Sequence, residues 1–152
     1  MMRTRRTVLA SLGALLAAPA WAAKPPATPM DVWKDPNCGC CKDWVTHLEQ
    51  AGFKVTVQET GNAATRKRLG MPDKLGSCHT ARVGGYVIEG HVPAADILRL
   101  LREKPDALGL AVPGMPIGSP GMDGPAYGGR RDRYEVLLVL KDGSTRVFNS
   151  YA

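Results

Sequence analysis

The chain lacks an internal apolar run long enough to cross a bilayer, which takes about 20 residues in a helix. We therefore expect no membrane span in the part of the chain that follows the N-terminal segment. Acidic residues are absent from the first 22 residues, which carry Arg3, Arg5 and Arg6. The formal net charge of the chain is +6, and these three arginines supply half of it. The small positive charge that is left gives no case for a nucleic-acid partner.

The N-terminal segment is typical of a secretory signal peptide. It has a basic start, an apolar middle and a small-residue end at Ala20-Trp21-Ala22. We predict that residues 1–22 are a signal peptide, cleaved after Ala22, and that residues 23–152 form a single domain in the periplasm. Arg5 and Arg6 also fit the twin-arginine export route, so both that route and ordinary unfolded export are open.

Cysteine is scarce, with four among 152 residues, yet three of the four lie in the stretch "DPNCGCCKDW" as Cys38, Cys40 and Cys41. An even number of cysteines in an exported protein first suggests two structural disulfides. A bridge within this stretch would close a very short loop, and the stabilisation that a disulfide brings shrinks with loop length. The crowding therefore favours a redox pair or a metal clamp.

The hydrophobic pattern predicts an alternating α/β order. Up to residue 104 it reads strand, helix, strand, helix, strand, strand, helix, and the Cys-x-x-Cys lies where the first strand meets the first helix. This is the thioredoxin arrangement. Strands are predicted at 30–34, 53–59 and on both sides of Gly84-Gly85, and helices at 39–51, 62–69 and 92–105.

Finer features of the helices also follow from the pattern. The first helix should bury Cys41, Val45 and Leu48, and the third should bury Ile97, Leu98 and Leu101. Asn62 is a candidate N-cap of the second helix.

A Gly/Pro/Met-rich loop is predicted over residues 109–129, and long loops of this kind are functional or disordered. After it, Asp142-Gly143 lies between two apolar runs and predicts a β-hairpin that extends the sheet. The predicted fold class is therefore α/β and thioredoxin-like, a mixed sheet with flanking helices plus this C-terminal loop and hairpin.

Strand direction in such a fold gathers residues that are far apart in sequence. The first strand ends at Cys38, the third starts at the "SCHT" of residues 77–80, and the fourth ends at Gly90-His91. These three points share one edge of the sheet if the third strand is antiparallel to its neighbours. We expect the edge to collect the four cysteines together with His79 and His91, the four cysteines being Cys38, Cys40, Cys41 and Cys78.

The cysteines at that edge favour metal chemistry. Cys38 at a helix N-terminus is placed to be a thiolate, and Cys38 with Cys41 would form a redox pair. Cys40 and Cys41 are adjacent and point in different directions along the helix, so they suit neighbouring ions that share sulfurs. Soft thiolates at this density favour Cu(I), and we expect several ions, with zinc as the alternative.

Histidine and methionine supply further candidate metal ligands. His91, Met115 and Met122 are candidates, since imidazole and thioether are copper ligands. The alternatives are local hydrogen bonding for His91 and core packing for the two methionines. His47 and His79 are weaker candidates, because His47 is placed to interact with a helix C-terminus and strand neighbours such as Cys78 and His79 should point to opposite faces.

Three segments carry a resemblance to a known family: "CGCCKDWVTHLEQAGF", "SCHTARVGGYVIEGHVPAADILRLL" and "GLAVPGMPIGSPGM". They resemble the bacterial periplasmic metal-binding proteins related to the copper-resistance protein CopG, over nearly the whole mature chain. The resemblance implies a thioredoxin-like fold, a Cu(I)–thiolate cluster and a role in copper handling, with redox interconversion of copper as one proposed activity. The ligands it implies are Cys38, Cys40, Cys41 and Cys78; His91 and the methionine loop match family motifs as well.

The sequence thus leaves three functions to compare. The first is a periplasmic copper-binding protein for copper resistance, with copper ions and other periplasmic copper-handling or redox proteins as partners. The second is a thiol–disulfide oxidoreductase that uses Cys38 and Cys41, although "SCHT" stands where ordinary thioredoxins carry a cis-proline loop. The third is a structural zinc module.

Overall fold

The computed structural model describes residues 27–152, and the predicted signal peptide lies outside the described residues. The elements in chain order are β1 (Thr28–Lys34), α1 (Gly39–Gln50), β2 (Phe53–Gln58), α2 (Ala63–Arg68), β3 (His79–Val83), β4 (Tyr86–Glu89), α3 (Ala94–Glu103), β5 (Gly109–Ala111), β6 (Tyr134–Val139) and β7 (Thr145–Tyr151). The seven strands form one sheet in the order β2-β1-β3-β4-β5-β6-β7. The predicted α/β class with a mixed sheet and flanking helices is confirmed.

The direction of the strands decides what meets at each edge of the sheet. β1 is parallel to β2 and antiparallel to β3, and β3 is antiparallel to β4. β4 and β5 are parallel, which requires a crossover, and α3 is that connection. The ends of β1, β4 and β5 therefore lie at the same edge as the starts of β3 and β6; we call this edge the cysteine rim.

A hydrophobic core lies between one face of the sheet and the helices α1 and α3. Alternate strand residues point into it, as period-two strands require. Trp44 and Leu48 of α1 and Ile97 and Leu100 of α3 are fully buried there. The other face of the sheet carries a smaller cluster beneath the segment that contains Met71 and Leu75, with Val87, Ala111 and Val139 contributed by the strands.

The predicted hairpins are confirmed at Gly84-Gly85 and at Asp142-Gly143, and the second adds β6 and β7 to the sheet. Two predictions were wrong in detail. Leu98 is 40% exposed, and Leu100 takes the buried position between Ile97 and Leu101. The predicted loop at 109–129 begins with a strand, β5, whose three residues Gly-Leu-Ala are too few to show a period.

Asn62 occupies the N-cap position of α2, but its side chain does not cap the helix. Its amide donates instead to the carbonyl oxygen of Ser77 and to the hydroxyl of Thr80, at 3.1 Å and 3.2 Å. Residues 27–152 contain no helix with the length and apolarity that crossing a membrane requires.

Candidate metal centre

The first turn of α1 presents three cysteines at the cysteine rim. Pro36 follows β1 and ends it, and the Asp35 carbonyl and side chain accept hydrogen bonds from the backbone N–H groups of Cys38 and Asn37 at 3.1 Å and 2.8 Å. Cys38 then occupies the N-cap of α1. At this position the unpaired N–H groups of the first turn favour a thiolate.

The fourth cysteine comes from the segment just before β3, as strand direction predicts. All four sulfur atoms lie within 4.8 Å of one another. A disulfide joins Cys38 to Cys41, while Cys40 and Cys78 are free thiols. The Cys40 sulfur lies 3.5 Å from the sulfur of Cys38 and 3.8 Å from that of Cys78, so it bridges the helix and the strand segment.

A second group of ligands shares Cys78. The Cys78 sulfur lies 3.2 Å from His91 Nε2 and 3.4 Å from His79 Nδ1. These three ligand atoms also lie within 4.8 Å of one another. Cys78 is therefore common to an all-sulfur group and to a group of one sulfur and two imidazole nitrogens.

Backbone carbonyls fix the orientation of both histidines. His79 Nε2 lies 2.9 Å from the Gly90 carbonyl oxygen, and His91 Nδ1 lies 2.8 Å from that of Pro120. A carbonyl can only accept, so these two nitrogens carry the protons of the neutral rings. The other nitrogen of each ring then directs a lone pair at Cys78, and one thiol proton cannot satisfy both.

Burial holds these groups in their neutral forms. Desolvation is the main reason that the pKa of Cys78 rises to about 12, and the nearby Cys40 raises it further. Desolvation, followed by His91, lowers the pKa of His79 to about 3, and desolvation also lowers the pKa of His91. A soft cation among the three would be bound by two neutral imidazoles and by a thiol that loses its proton on binding.

The expectation that Cys78 and His79 point to opposite faces was wrong. Strand alternation applies within β3, and Cys78 precedes its first residue, His79. The His79 ring is fully buried against Trp44, with ring centroids 4.1 Å apart. Trp44 Nε1 also donates to the Val92 carbonyl at 2.9 Å, which anchors the residue after His91. Sequence reasoning missed Trp44, although its position three residues after Cys41 places it on the same helix face.

His47 has another partner. Its Nε2 accepts a hydrogen bond from the backbone N–H of Ala94 at 3.0 Å. Ala94 is the first residue of α3, so His47 satisfies one of the N–H groups left unpaired at that helix start. Desolvation lowers the pKa of His47, which keeps the accepting nitrogen free of a proton.

The two Pro-Gly-Met repeats of the long loop contact the segments that carry the cysteines. Gly114 hydrogen-bonds through its N–H to the Gly76 carbonyl, and its own carbonyl accepts the Ser77 hydroxyl at 2.5 Å. Gly121 packs on the first turn of α1, where an added Cβ would lie 2.5 Å from the Cys40 carbonyl oxygen. Each repeat therefore contacts, through its glycine, a segment that carries a cysteine.

The two methionines that follow differ in environment. Met115 is 52% exposed, whereas Met122 is buried and its sulfur accepts a hydrogen bond from the Tyr127 hydroxyl at 3.2 Å. Met115 is therefore open to solvent, whereas the Met122 sulfur already uses one lone pair.

The donor set fits a soft metal better than a hard one. Thiolate and thioether sulfur select Cu(I) or zinc over magnesium or calcium, and imidazole binds both copper and zinc. Reduction of the Cys38–Cys41 disulfide by two electrons would supply four thiols around one point. Reduced, the rim offers four thiols to a metal. With the Cys38–Cys41 disulfide formed, only the thiols of Cys40 and Cys78 are left to bind one.

The comparisons with known proteins agree with this chemistry. The family model described as "Protein of unknown function, DUF411" matches residues 75–122, from the segment of Cys78 to the second methionine repeat. A solved structure named copper resistance protein CopG, form 2, is 50% identical and has a TM-score of 0.77, covering 83% of this chain and 99% of that one. Form 1 of the same protein is 51% identical with a TM-score of 0.76, covering 82% and 98%. No curated protein matches the chain.

Proposed function

Since the chain belongs to the family of CopG-like copper resistance proteins, we propose that it holds Cu(I) in a cluster of cysteine thiolates and serves copper resistance. The observation that carries the proposal is the convergence of four cysteine sulfurs within 4.8 Å. The three cysteines of α1 and Cys78 come from segments far apart in sequence, so the fold itself builds the group.

Copper is proposed rather than zinc because the solved structures that are 50% and 51% identical to this chain are named copper resistance proteins. The sulfur of Cys40 lies 3.5 Å from that of Cys38 and 3.8 Å from that of Cys78, and these distances fit either a tetrahedral zinc site or sulfurs shared by neighbouring ions. The adjacent Cys40 and Cys41 point in different directions along the helix, which favours shared sulfurs. We propose that Cys38, Cys40, Cys41 and Cys78 bridge several Cu(I) ions, that His91 binds beside Cys78, and that Met115 and Met122 add thioether ligands.

We place this activity in the periplasm because the first 22 residues have the pattern of a signal peptide. Partners of the protein would then be copper ions and other periplasmic copper-handling or redox proteins. Redox activity toward copper is part of the proposal: oxidation of the Cys38 and Cys41 thiolates to their disulfide releases two electrons, which would reduce two Cu(II) ions to Cu(I).

Anaerobic titration of the fully reduced protein with Cu(I), followed by metal analysis, tests the proposal. We expect at least about two Cu(I) ions per chain, since shared sulfurs require neighbouring ions. Cys40→Ser should lower the number bound, while Thr46→Ser on the exposed side of α1 should leave it unchanged. Fewer than about two Cu(I) per chain, with no change in Cys40→Ser, would contradict a cluster.

A second candidate is thiol–disulfide exchange, which the disulfide at the start of α1 favours. Exchange needs Cys38 and Cys41 alone. If it is the function, Cys40→Ser and Cys78→Ser keep the ability to reduce insulin disulfides, and Cys38→Ser loses it. Equal loss in all three variants would argue against a two-cysteine exchange and for a shared cluster.

A further inference from the structure

The end of β4 carries a buried carboxylate that no metal ligand contacts directly. Glu89 is fully buried. Its Oε1 accepts a hydrogen bond from the backbone N–H of Ser77 at 2.7 Å, and its Oε2 accepts one from the Thr80 hydroxyl at 2.6 Å. Ser77 and Thr80 are the residues on either side of Cys78 and His79. The Glu89 side chain therefore hydrogen-bonds to both ends of this four-residue segment.

Cationic and amide groups of α2 and its N-cap complete this arrangement. Arg66 lies 3.4 Å from Glu89 Oε1, and it also lies 3.5 Å from the Ser77 carbonyl oxygen. The Asn62 amide donates to the same carbonyl and to the Thr80 hydroxyl. The carboxylate is therefore paired and fully hydrogen-bonded, which a buried charge requires.

The segment before Cys78 is also held from the side of β4. Gly90 follows Glu89 with φ of +73°, and a Cβ on it would lie 2.4 Å from the Val112 carbonyl oxygen and 2.7 Å from the Ser77 Cβ. The Ser77 side chain therefore packs directly on Gly90, while its backbone N–H is bound by Glu89.

We propose that Glu89 is a positioning residue that fixes Cys78 and His79 for metal binding. This inference rests on the proposed copper function. An apolar side chain would fill the same space without the cost of burying a charge. The carboxylate instead joins two fixed points around the ligand pair, so that the sulfur of Cys78 keeps its distance from the sulfurs of α1 before any metal arrives.

The first test uses metal-free protein with the Cys38–Cys41 disulfide intact. Alkylation of Cys78 and of Cys40 is followed separately by mass spectrometry after digestion. In Glu89→Ala the segment is released, so the reagent should reach Cys78 about tenfold faster, while the rate at Cys40 stays within about twofold of wild type. In Glu89→Gln, which keeps one acceptor oxygen, the alkylation rate of Cys78 should lie between the rates in wild type and in Glu89→Ala.

The second test uses reduced protein in competition with a Cu(I) chelator. The apparent affinity for Cu(I) should fall about tenfold or more in Glu89→Ala, as is usual when the support of a metal ligand is removed. The matched control is Asp96→Asn. Asp96 is a buried carboxylate that accepts hydrogen bonds from Asn149 and Tyr151, away from the cysteine segment. It should leave the affinity within about twofold of wild type.

The outcomes separate this inference from the proposed function. If the wild type binds no Cu(I), the proposed function fails, and the alkylation rates still decide whether Glu89 holds Cys78. If Glu89→Ala does not fold, Glu89→Gln and Thr80→Val take its place. Unchanged affinity in folded variants, or an equal loss in Asp96→Asn, would overturn the positioning role.

Discussion

The Cys78 sulfur is the atom on which both groups of ligands depend. It faces Cys40 on one side and two imidazole lone pairs on the other. Strand direction predicted its place at the rim together with His91. His79 was assigned a weak role, because the alternation rule was applied one residue before β3 begins. Side-chain direction at such a boundary depends on the local backbone, which the sequence pattern does not define.

The neutral state of His79 has a consequence for stability at low pH. In the unfolded chain its pKa is near the ordinary value of 6.5, whereas in the folded protein it is about 3. Between these values the unfolded state binds the extra proton, so the free energy of unfolding falls as the pH falls. Metal-free protein should lose about 1.4 kcal/mol per pH unit from this group.

Urea unfolding of metal-free wild type and of His79→Gln between about pH 5.5 and pH 4 measures this slope, because there the imidazole is almost fully protonated in the unfolded chain and neutral in the folded protein. The slope should be shallower in His79→Gln by about one proton, whatever the absolute stability of the variant. Equal slopes in the two proteins would show that His79 is protonated without cost in the folded state.

Among the elements around the site, the long loop contacts both His91 and α1. Its Pro120 carbonyl orients His91, and Gly121 packs on the first turn of α1. From its length the loop was expected to be functional or disordered, and its repeated Pro-Gly-Met supplied two candidate ligands. It could not show which segments the loop contacts, because those contacts are set by the folding of the whole chain.

Gly121→Ala should weaken the attachment of the loop to α1. Gly121 has φ of +86°, and the new Cβ would lie 2.5 Å from one backbone oxygen and 2.9 Å from the backbone nitrogen of Trp44. We expect the free energy of unfolding to fall by about 1–3 kcal/mol, as strained backbone positions cost. Chemical denaturation of Gly121→Ala and of the wild type measures this loss.

The control for that variant is Gly124→Ala in the same loop. An added Cβ there has no atom within 4 Å, and φ is −70°, which any residue adopts. Its stability should stay within about 0.5 kcal/mol of wild type. Equal losses in the two variants would mean that the loop, rather than its contact with α1, is sensitive to alanine.

At the scale of the whole molecule, the order of elements was readable because each long element has its own period. The hairpins were predicted from Gly84-Gly85 and Asp142-Gly143, and the motif at the start of α1 indicated the topology. β5 escaped prediction because three residues show no period, yet it places β6 and β7 in the sheet. Strand direction was enough to predict that the four cysteines and the two histidines meet at one edge of the sheet. It could not predict the hydrogen bonds that orient His79 and His91.

We expect the four cysteines to hold copper in the living cell. The most direct measurement is metal analysis and thiol counting on protein isolated without oxygen from its native compartment. We expect copper bound to the protein, and all four cysteines protected from alkylation until a Cu(I) chelator removes the metal. Protein that carries zinc or no metal, with the Cys38–Cys41 disulfide intact and Cys40 and Cys78 freely alkylated, would contradict the account.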